Sequence, residues 1–308
     1  VDEKAGQTTS PSVRWEARSG DHLIALGGVR ALAQAIEDDN PLWWDADAAL
    51  RLGYQSQPAP PMLIDSFNPF YAGEPYPVDS PLPHRFSAGD EFVFHRPICV
   101  GDVIEARCRI GERREGLRSD GSSRMLFVTY DKSYLDAHGD LVAEAKWTCV
   151  HFEGDSAART SGSIGPPEWA TVALAPEERE ISPTQIVRWT CATGDFERIH
   201  IDYRYATEER GLRDVVGHGP YTAAVLLKLI TDHVGDPGRL CHAAFRYRGS
   251  VYPGDRITFA GWRRAGSDAT AGEAFLVASN QDGAAVTTGT CGWGAAEAPG
   301  AINGKERS

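Results

Sequence analysis

Cysteine is scarce and shows no pairing pattern. Cys99, Cys108, Cys149, Cys191, Cys241 and Cys291 form no C-x-x-C pair, and no histidine cluster stands beside them at zinc spacing. That argues against a structural zinc site and against a disulfide mini-protein. The thiols read as unbridged, mostly buried groups in a reducing cytoplasm. Long apolar runs are also missing: nothing approaches the roughly 18 residues of a membrane helix. The stretch from Val1 to Ser12 is polar and lacks the apolar centre of a secretory signal. Basic charge is in deficit, with 31 Lys and Arg against 43 Asp and Glu, a formal net charge of −12. A general nucleic-acid binder needs a basic stripe, so that class is set aside. Gly27-Gly28 lacks the spacing of a dinucleotide fingerprint and reads as a turn.

What remains is ordinary globular material. Hydrophobic residues make up 42% and charged residues 24%, which excludes a wholly disordered chain and a collagen-like repeat. A length of 308 residues suggests two domains. The stretch Gly154 to Pro176, rich in Gly, Ser, Ala and Pro, reads as the linker between them. The expected organisation is a domain over 13–153, a linker over 154–176 and a second domain over 177–296. The first dozen residues and the tail after Ala296 are expected to fray.

The two halves resemble each other. Ala35 to Trp43 (AIEDDNPLW) parallels Ala192 to His200 (ATGDFERIH), and Phe94 to Ile104 parallels Tyr247 to Ile257. Asp38 and Asp195 are 157 positions apart, and Gly101 and Gly254 are 153 apart. Two landmarks at nearly one offset indicate duplication. In the second half, Gly219 to His233 has apolar residues at helical spacings on most sides, and Pro220 suits a first turn, so it predicts a core helix. Four strands follow, over 240–252, 255–263, 273–280 and 284–293. The first half has the same order, with a helical stretch over 61–70 and strands near 91–97, 102–111, 124–135 and 141–152. A helix followed by four antiparallel strands defines an α+β unit, one long helix wrapped by a curved sheet. Two such units side by side predict one continuous sheet with both helices buried.

The segment Thr193 to Asp202 carries the chemistry. Gly194-Asp195 is followed five residues later by His200. Alone, that pattern is weak, because such an acid commonly caps a helix and such a histidine commonly packs inside. Gly217-His218-Gly219 then opens the predicted core helix. Unpaired N–H groups at a helix start are ready to hold developing negative charge. An acid, a histidine and an anion-holding turn in one short stretch make a plausible site.

TGDFERIH followed by GHG resembles the MaoC-like (R)-specific enoyl-CoA hydratase/dehydratase family, the hydratase-2 type, whose motif runs G-D-x-N-P-[LI]-H before an H-G turn. The resemblance implies a double hot-dog fold. It implies that Asp195 and His200 hold the catalytic water and that the Gly219 N–H polarises the thioester carbonyl. The segment departs from the motif at Glu197 and Arg198, where the family has Asn-Pro, which puts the local turn in question and gives Arg198 a possible substrate role. The first half keeps Asp38, Asn40, Pro41 and Leu42, but Trp43 stands at the histidine position and Glu37 at the glycine. That copy reads as catalytically dead, with Asp38 as a cap or structural acceptor. In two-domain members the degenerate half forms the acyl pocket, so Trp43, Trp44, Phe67, Phe70 and Tyr71 are the implied lining.

The implied reaction is hydration of a 2-enoyl-CoA thioester or the reverse dehydration of a 3-hydroxyacyl-CoA. No metal and no redox cofactor are needed; the CoA or carrier-protein thioester belongs to the substrate. The implied partners are the acyl-CoA substrate and, for assembly, a second copy or another hot-dog chain, with no nucleic acid and no membrane. Two other readings stay open: an acyl-CoA thioesterase of the same fold, and a non-catalytic acyl-binding subunit of a heteromeric hydratase.

Overall fold

The computed structural model describes residues 16–72, 76–117, 121, 123–154 and 162–294. The first half begins with β1 (Glu16–Leu23), α1 (Leu26–Ala35), α2 (Pro41–Trp44) and α3 (Ala46–Arg51). Two 3-10 segments follow, Pro61–Phe67 and Pro69–Ala72, and then the strands β2 (His84–Phe94), β3 (Val103–Leu117), β4 (Arg124–Asp136) and β5 (Leu141–Phe152). The second half contains β6 (Ala170–Ala173), β7 (Glu177–Glu180), α4 (Pro183–Thr193), α5 (Arg198–Ile201) and the long α6 (Gly219–Val234). It closes with β8 (Leu240–Tyr247), β9 (Arg256–Arg264), β10 (Gly272–Ser279) and β11 (Ala285–Trp293).

The eleven strands among the described residues join one antiparallel sheet in the order β1-β3-β4-β5-β2-β8-β11-β10-β9-β6, with β7 also paired to β9. The order is a palindrome about the β2–β8 seam: β5 matches β11, β4 matches β10, and β3 matches β9. This is the expected double hot-dog, an α+β fold on a continuous curved sheet. The duplication extends to single hydrogen bonds. Ile24 donates its N–H to Asp102 O (2.8 Å) and accepts from Gly101 N–H (2.9 Å). Ile181 does the same with Asp255 O (2.8 Å) and Gly254 N–H (2.8 Å). The Asp102 carboxylate accepts from Cys99 N–H (3.0 Å), and that of Asp255 from Tyr252 N–H (2.9 Å). Both turns use a glycine at positive φ, +98° at Gly101 and +84° at Gly254.

The halves differ where a long helix is expected in each. In α6, eleven side chains, from Tyr221 to Val234, are buried. A helix apolar on most sides belongs inside, and this one fills the concave face of the second half-sheet. In the first half the helical stretch predicted over 61–70 is a 3-10 segment that stops at Phe67. Asn68 is extended (ψ 122°) ahead of Pro69, because a residue before proline is pushed out of the helical region. Among the described residues the first half-sheet therefore has no equivalent apolar helix, and one of the two expected long core helices is seen.

Within the stretch read as a linker, Ala170–Ala173 is an edge strand, and residues 155–161 lie outside the described residues. So do the two ends expected to fray, and residues 13–15 and 295–296 of the expected domains. No cysteine is in a disulfide, and Cys108, Cys149 and Cys291 are buried. Among the described residues no helix is long and apolar enough to cross a membrane.

The seam depends on close approach. Gly89 pairs with Arg246 across it, and a Cβ there would lie 2.3 Å from Phe245 O. Gly89→Val is expected to lower stability by at least the ~1–3 kcal/mol of overpacking. Gly116→Val, whose Cβ would sit 3.8 Å from Phe127, is the control and should stay within about 1 kcal/mol of wild type. Urea unfolding of both variants checks this.

Candidate active site

Helix α4 begins with a capping box between Ser182 and Gln185 and ends at Gly194 in the left-handed region (φ +79°). That turn throws the chain inward, so Asp195 is buried immediately after the helix. Its Oδ1 accepts from Glu197 N–H at 3.3 Å, which leaves Oδ2 to face the interior. Helix α5 then carries His200, also buried. His200 Nδ1 lies 2.6 Å from Val216 O. A carbonyl accepts only, so Nδ1 carries the proton and Nε2 of the neutral ring keeps a lone pair. That Nε2 lies 4.0 Å from Asp195 Oδ2, a gap in which one water can donate to both groups.

A second histidine completes the cluster. His218, at the N-cap of α6, stacks on His200 with ring centroids 3.5 Å apart and planes at 21°. Its Nε2 is 3.3 Å from Asp195 O and 3.7 Å from Asp195 Oδ2. Donation from this Nε2–H ties the backbone of Asp195 to the start of α6. Gly219 follows in the first turn, where N–H groups have no partner within the helix. A Cβ on Gly219 would meet the Tyr247 ring at 2.8 Å, so only glycine fits.

Burial governs the charges. It raises the Asp195 carboxyl above its ordinary value, against the lowering influence of His200. It also drives His218 well below the usual imidazole value, with His200 adding to the effect. His218 is therefore neutral, and Asp195 is a stronger base than an exposed carboxylate. The donor atoms of Asp195, His200 and His218 fall within 4.8 Å of one another. The two imidazole planes are nearly parallel and 3.5 Å apart, so their in-plane lone pairs do not converge on one ion. The set suits a water better than a metal.

Asp195, His200, His218 and Gly219 line a cavity of about 400 Å³ that crosses the seam. The first half supplies much of its wall: Asp65, Tyr71, Tyr76, Arg85, Asp90, Lys132, Trp147 and His151. Arg85 bonds Glu197 and covers the Tyr76 ring at 3.3 Å, linking the halves beside the site. His218 and, Tyr71 apart, the wall residues were not singled out from the sequence. The GHG turn was read for its glycine alone, and the wall residues are spread over strands, 3-10 segments and a loop with no motif between them.

Of the residues expected to line an acyl pocket, Tyr71 borders this cavity. The others lie elsewhere. Trp43 and Phe67 are sealed in the main core, and Phe70 packs in a second cluster with Val128, Tyr130 and Trp147. Trp44 packs on the core edge and donates its indole N–H to Asp38 O (3.0 Å). Arg198 is exposed and pairs with Asp202 at 2.7 Å, since its place on α5 turns it outward while His200 turns inward. Asp38 accepts from Asn40 N–H at 3.0 Å, a turn-holding contact.

Fold and site define a class: a double hot-dog protein whose second half carries an acid, two histidines and a helix N-terminus around one cavity. Residues 168–281 match the MaoC like domain, and residues 13–145 match the FAS1-like dehydratase domain region. The chain belongs to the MaoC-like dehydratase family. It is 29% identical over 169 residues to a mesaconyl-C(4)-CoA hydratase of Chloroflexus aurantiacus, a match covering 51% of this chain and 54% of that protein. It is 34% identical over 126 residues to a UPF0336 protein of Parafrankia, covering 40% of this chain and 79% of that one. A solved MaoC-like dehydratase superposes with a TM-score of 0.74 at 21% identity, covering 91% of this chain and 97% of the other. A Mycobacterium tuberculosis protein described as a double hotdog fold superposes at 0.65 and 14% identity, covering 91% and 95%; both likenesses concern the fold.

Two outcomes are expected. Trp43→Ala should cost about 3–5 kcal/mol of stability, as for a sealed core aromatic, and leave acyl-chain preference unchanged in a thioester panel. His218 has a folded value below its unfolded one, so the unfolded chain binds the extra proton once pH falls below about 6.5. Its contribution is present at neutral pH and lost on acidification, by up to about 1.4 kcal/mol per pH unit. Urea unfolding between pH 7 and pH 5 should show wild type losing stability more steeply than His218→Gln.

Proposed function

We propose that the protein hydrates 2-enoyl-CoA thioesters, or dehydrates 3-hydroxyacyl-CoA thioesters in reverse, with (R) configuration at the hydroxyl-bearing carbon. One observation carries the reading: two proton acceptors, Asp195 Oδ2 and His200 Nε2, stand 4.0 Å apart in a cavity that also contains the start of α6. A water donating to both turns its lone pair toward the substrate. As its oxygen bonds to Cβ, one proton passes to Asp195 or His200, and the C=C electrons move to the thioester oxygen. The Gly219 N–H, at the positive end of α6, stabilises that enolate. The protonated partner then returns a proton to Cα, so the net change is addition of H and OH. The raised proton affinity of Asp195 suits a group that must take a proton and release it. The family supports this chemistry, and the mesaconyl-C(4)-CoA hydratase relative supports a CoA thioester as the substrate.

The test is incubation with crotonyl-CoA. Loss of enoyl absorbance without release of thiol, giving (R)-3-hydroxybutyryl-CoA on chiral analysis, is the expected result. Free CoA would mean a thioesterase, and no change at all would leave an acyl-binding role. Asp195→Asn and His200→Ala should each lower kcat by about 10²–10⁴ without loss of the folded state by circular dichroism. Near wild-type turnover in either variant would refute the assignment.

A further inference from the structure

The end of the cavity in the first half is built unlike an apolar acyl tunnel. Lys132 on β4 reaches its wall with only 1% of the side chain exposed. Among the described residues its ammonium has one hydrogen bond, to Asp65 Oδ1 at 3.4 Å, and it stands 5.6 Å from the centre of the Trp147 ring. An ammonium has three donors, so this group has donor capacity left over inside the protein. Asp65 comes from the 3-10 segment Pro61–Phe67, the element that replaces a long helix in this half. Asp90, from β2, is also buried and accepts from the Tyr247 hydroxyl at 2.6 Å. Burial, with Asp65 nearby, raises Asp90 to about 7. Tyr71 lines the same cavity, where burial and then the neighbouring acids Asp195, Asp65 and Asp90 raise its phenol.

Replacing a buried ion pair by apolar residues is often neutral or stabilising. An ammonium with unused donors is a poor wall for a hydrocarbon and a good one for oxygen. Charge then selects the kind of oxygen. Lys132 already answers Asp65, with Asp90 beside it, and a carboxylate ligand would add a third acid among these buried side chains. A hydroxyl or carbonyl accepts from the ammonium without that repulsion, and a hydroxyl also donates to Asp65 or Asp90.

We propose that Lys132, with Asp65 and Asp90, forms a recognition site for a neutral oxygen, hydroxyl or carbonyl, on the part of the acyl group remote from the thioester. The inference rests on the acyl-thioester reading above and specifies its substrate class: oxygenated acyl chains rather than plain alkyl chains.

The experiment measures binding, so it does not need turnover. Saturated acyl-CoA thioesters of six and eight carbons, ending in methyl, hydroxyl or carboxylate, are titrated by calorimetry against wild type, Lys132→Met and the double variant Asp65→Asn/Lys132→Met. The double variant removes both members of the Asp65–Lys132 pair and leaves Asp90 with its bond from the Tyr247 hydroxyl, which keeps the test valid if Lys132→Met fails to fold. In wild type the hydroxyl-ended thioester should bind at least tenfold more tightly than the methyl-ended one, at one length or both, with the carboxylate-ended one weaker than the hydroxyl. In a folded variant that preference should fall to within twofold, with the methyl-ended Kd unchanged or improved. Equal or tighter binding of the methyl-ended thioester by wild type, tightest binding of the carboxylate, or an equal loss for every thioester in the variants would overturn the proposal. Failure of crotonyl-CoA hydration while this order holds counts against the hydratase reading alone.

Discussion

The hydrogen-bonded seam between β2 and β8 is the constraint on which the molecule depends. Each half-sheet is curved and has one concave face to cover. Joined edge to edge at Gly89–Val93 and His242–Arg246, the halves make one surface, and two exposed strand edges disappear from the middle of the chain. The cavity lies across that seam, with Arg85 of one half bonded to Glu197 of the other at its side. Separating the halves would open the site and break the core at once.

Duplication then allows the two copies to diverge. In the second half α6 covers the sheet with apolar side chains and offers its N-terminus to the cavity. In the first half prolines cut the matching helix to a 3-10 segment. The space below it holds Lys132, Asp65 and Asp90 instead. One copy keeps the groups proposed to act on water, while the other, with Trp43 in the place of the histidine, supplies a polar wall. The substitution is coherent: Trp43 is sealed in the core, so the position that faces the cavity in one half stabilises the fold in the other.

Within the cluster of Asp195, His200 and His218, position and proton state have the same cause. The Val216 carbonyl fixes which nitrogen of His200 holds the proton. Burial makes His218 neutral and Asp195 more basic. His218 joins the backbone of Asp195 to the start of α6, so the acid, the imidazole and the helix N-terminus hold one geometry. Glu197 and Arg198, the departures from the family motif, separate cleanly. Glu197 crosses the seam to Arg85, and Arg198 stays on the surface with Asp202.

The architecture was legible in the order of residues because it depends on local periodicity and on repetition. A helix apolar on most sides, runs of alternating strand residues and two landmarks at one offset define a duplicated α+β unit whatever the contacts between its halves, and the resemblance of one short motif adds the hot-dog. Asp195, His200 and Gly219 were legible for a similar reason: they lie within 25 residues of one another, and short-range geometry brings them together. The rest of the cavity lining was not. Trp43, Trp44, Phe67 and Phe70 are as aromatic as any pocket lining, and nothing in their spacing tells core from cavity. Lys132, Asp65, Asp90 and Arg85 are scattered over two strands and a 3-10 segment, and only the packing of those elements in the folded molecule aims them at one space. Proton affinities were equally out of reach, because they depend on burial, which belongs to the folded molecule and to no stretch of its chain.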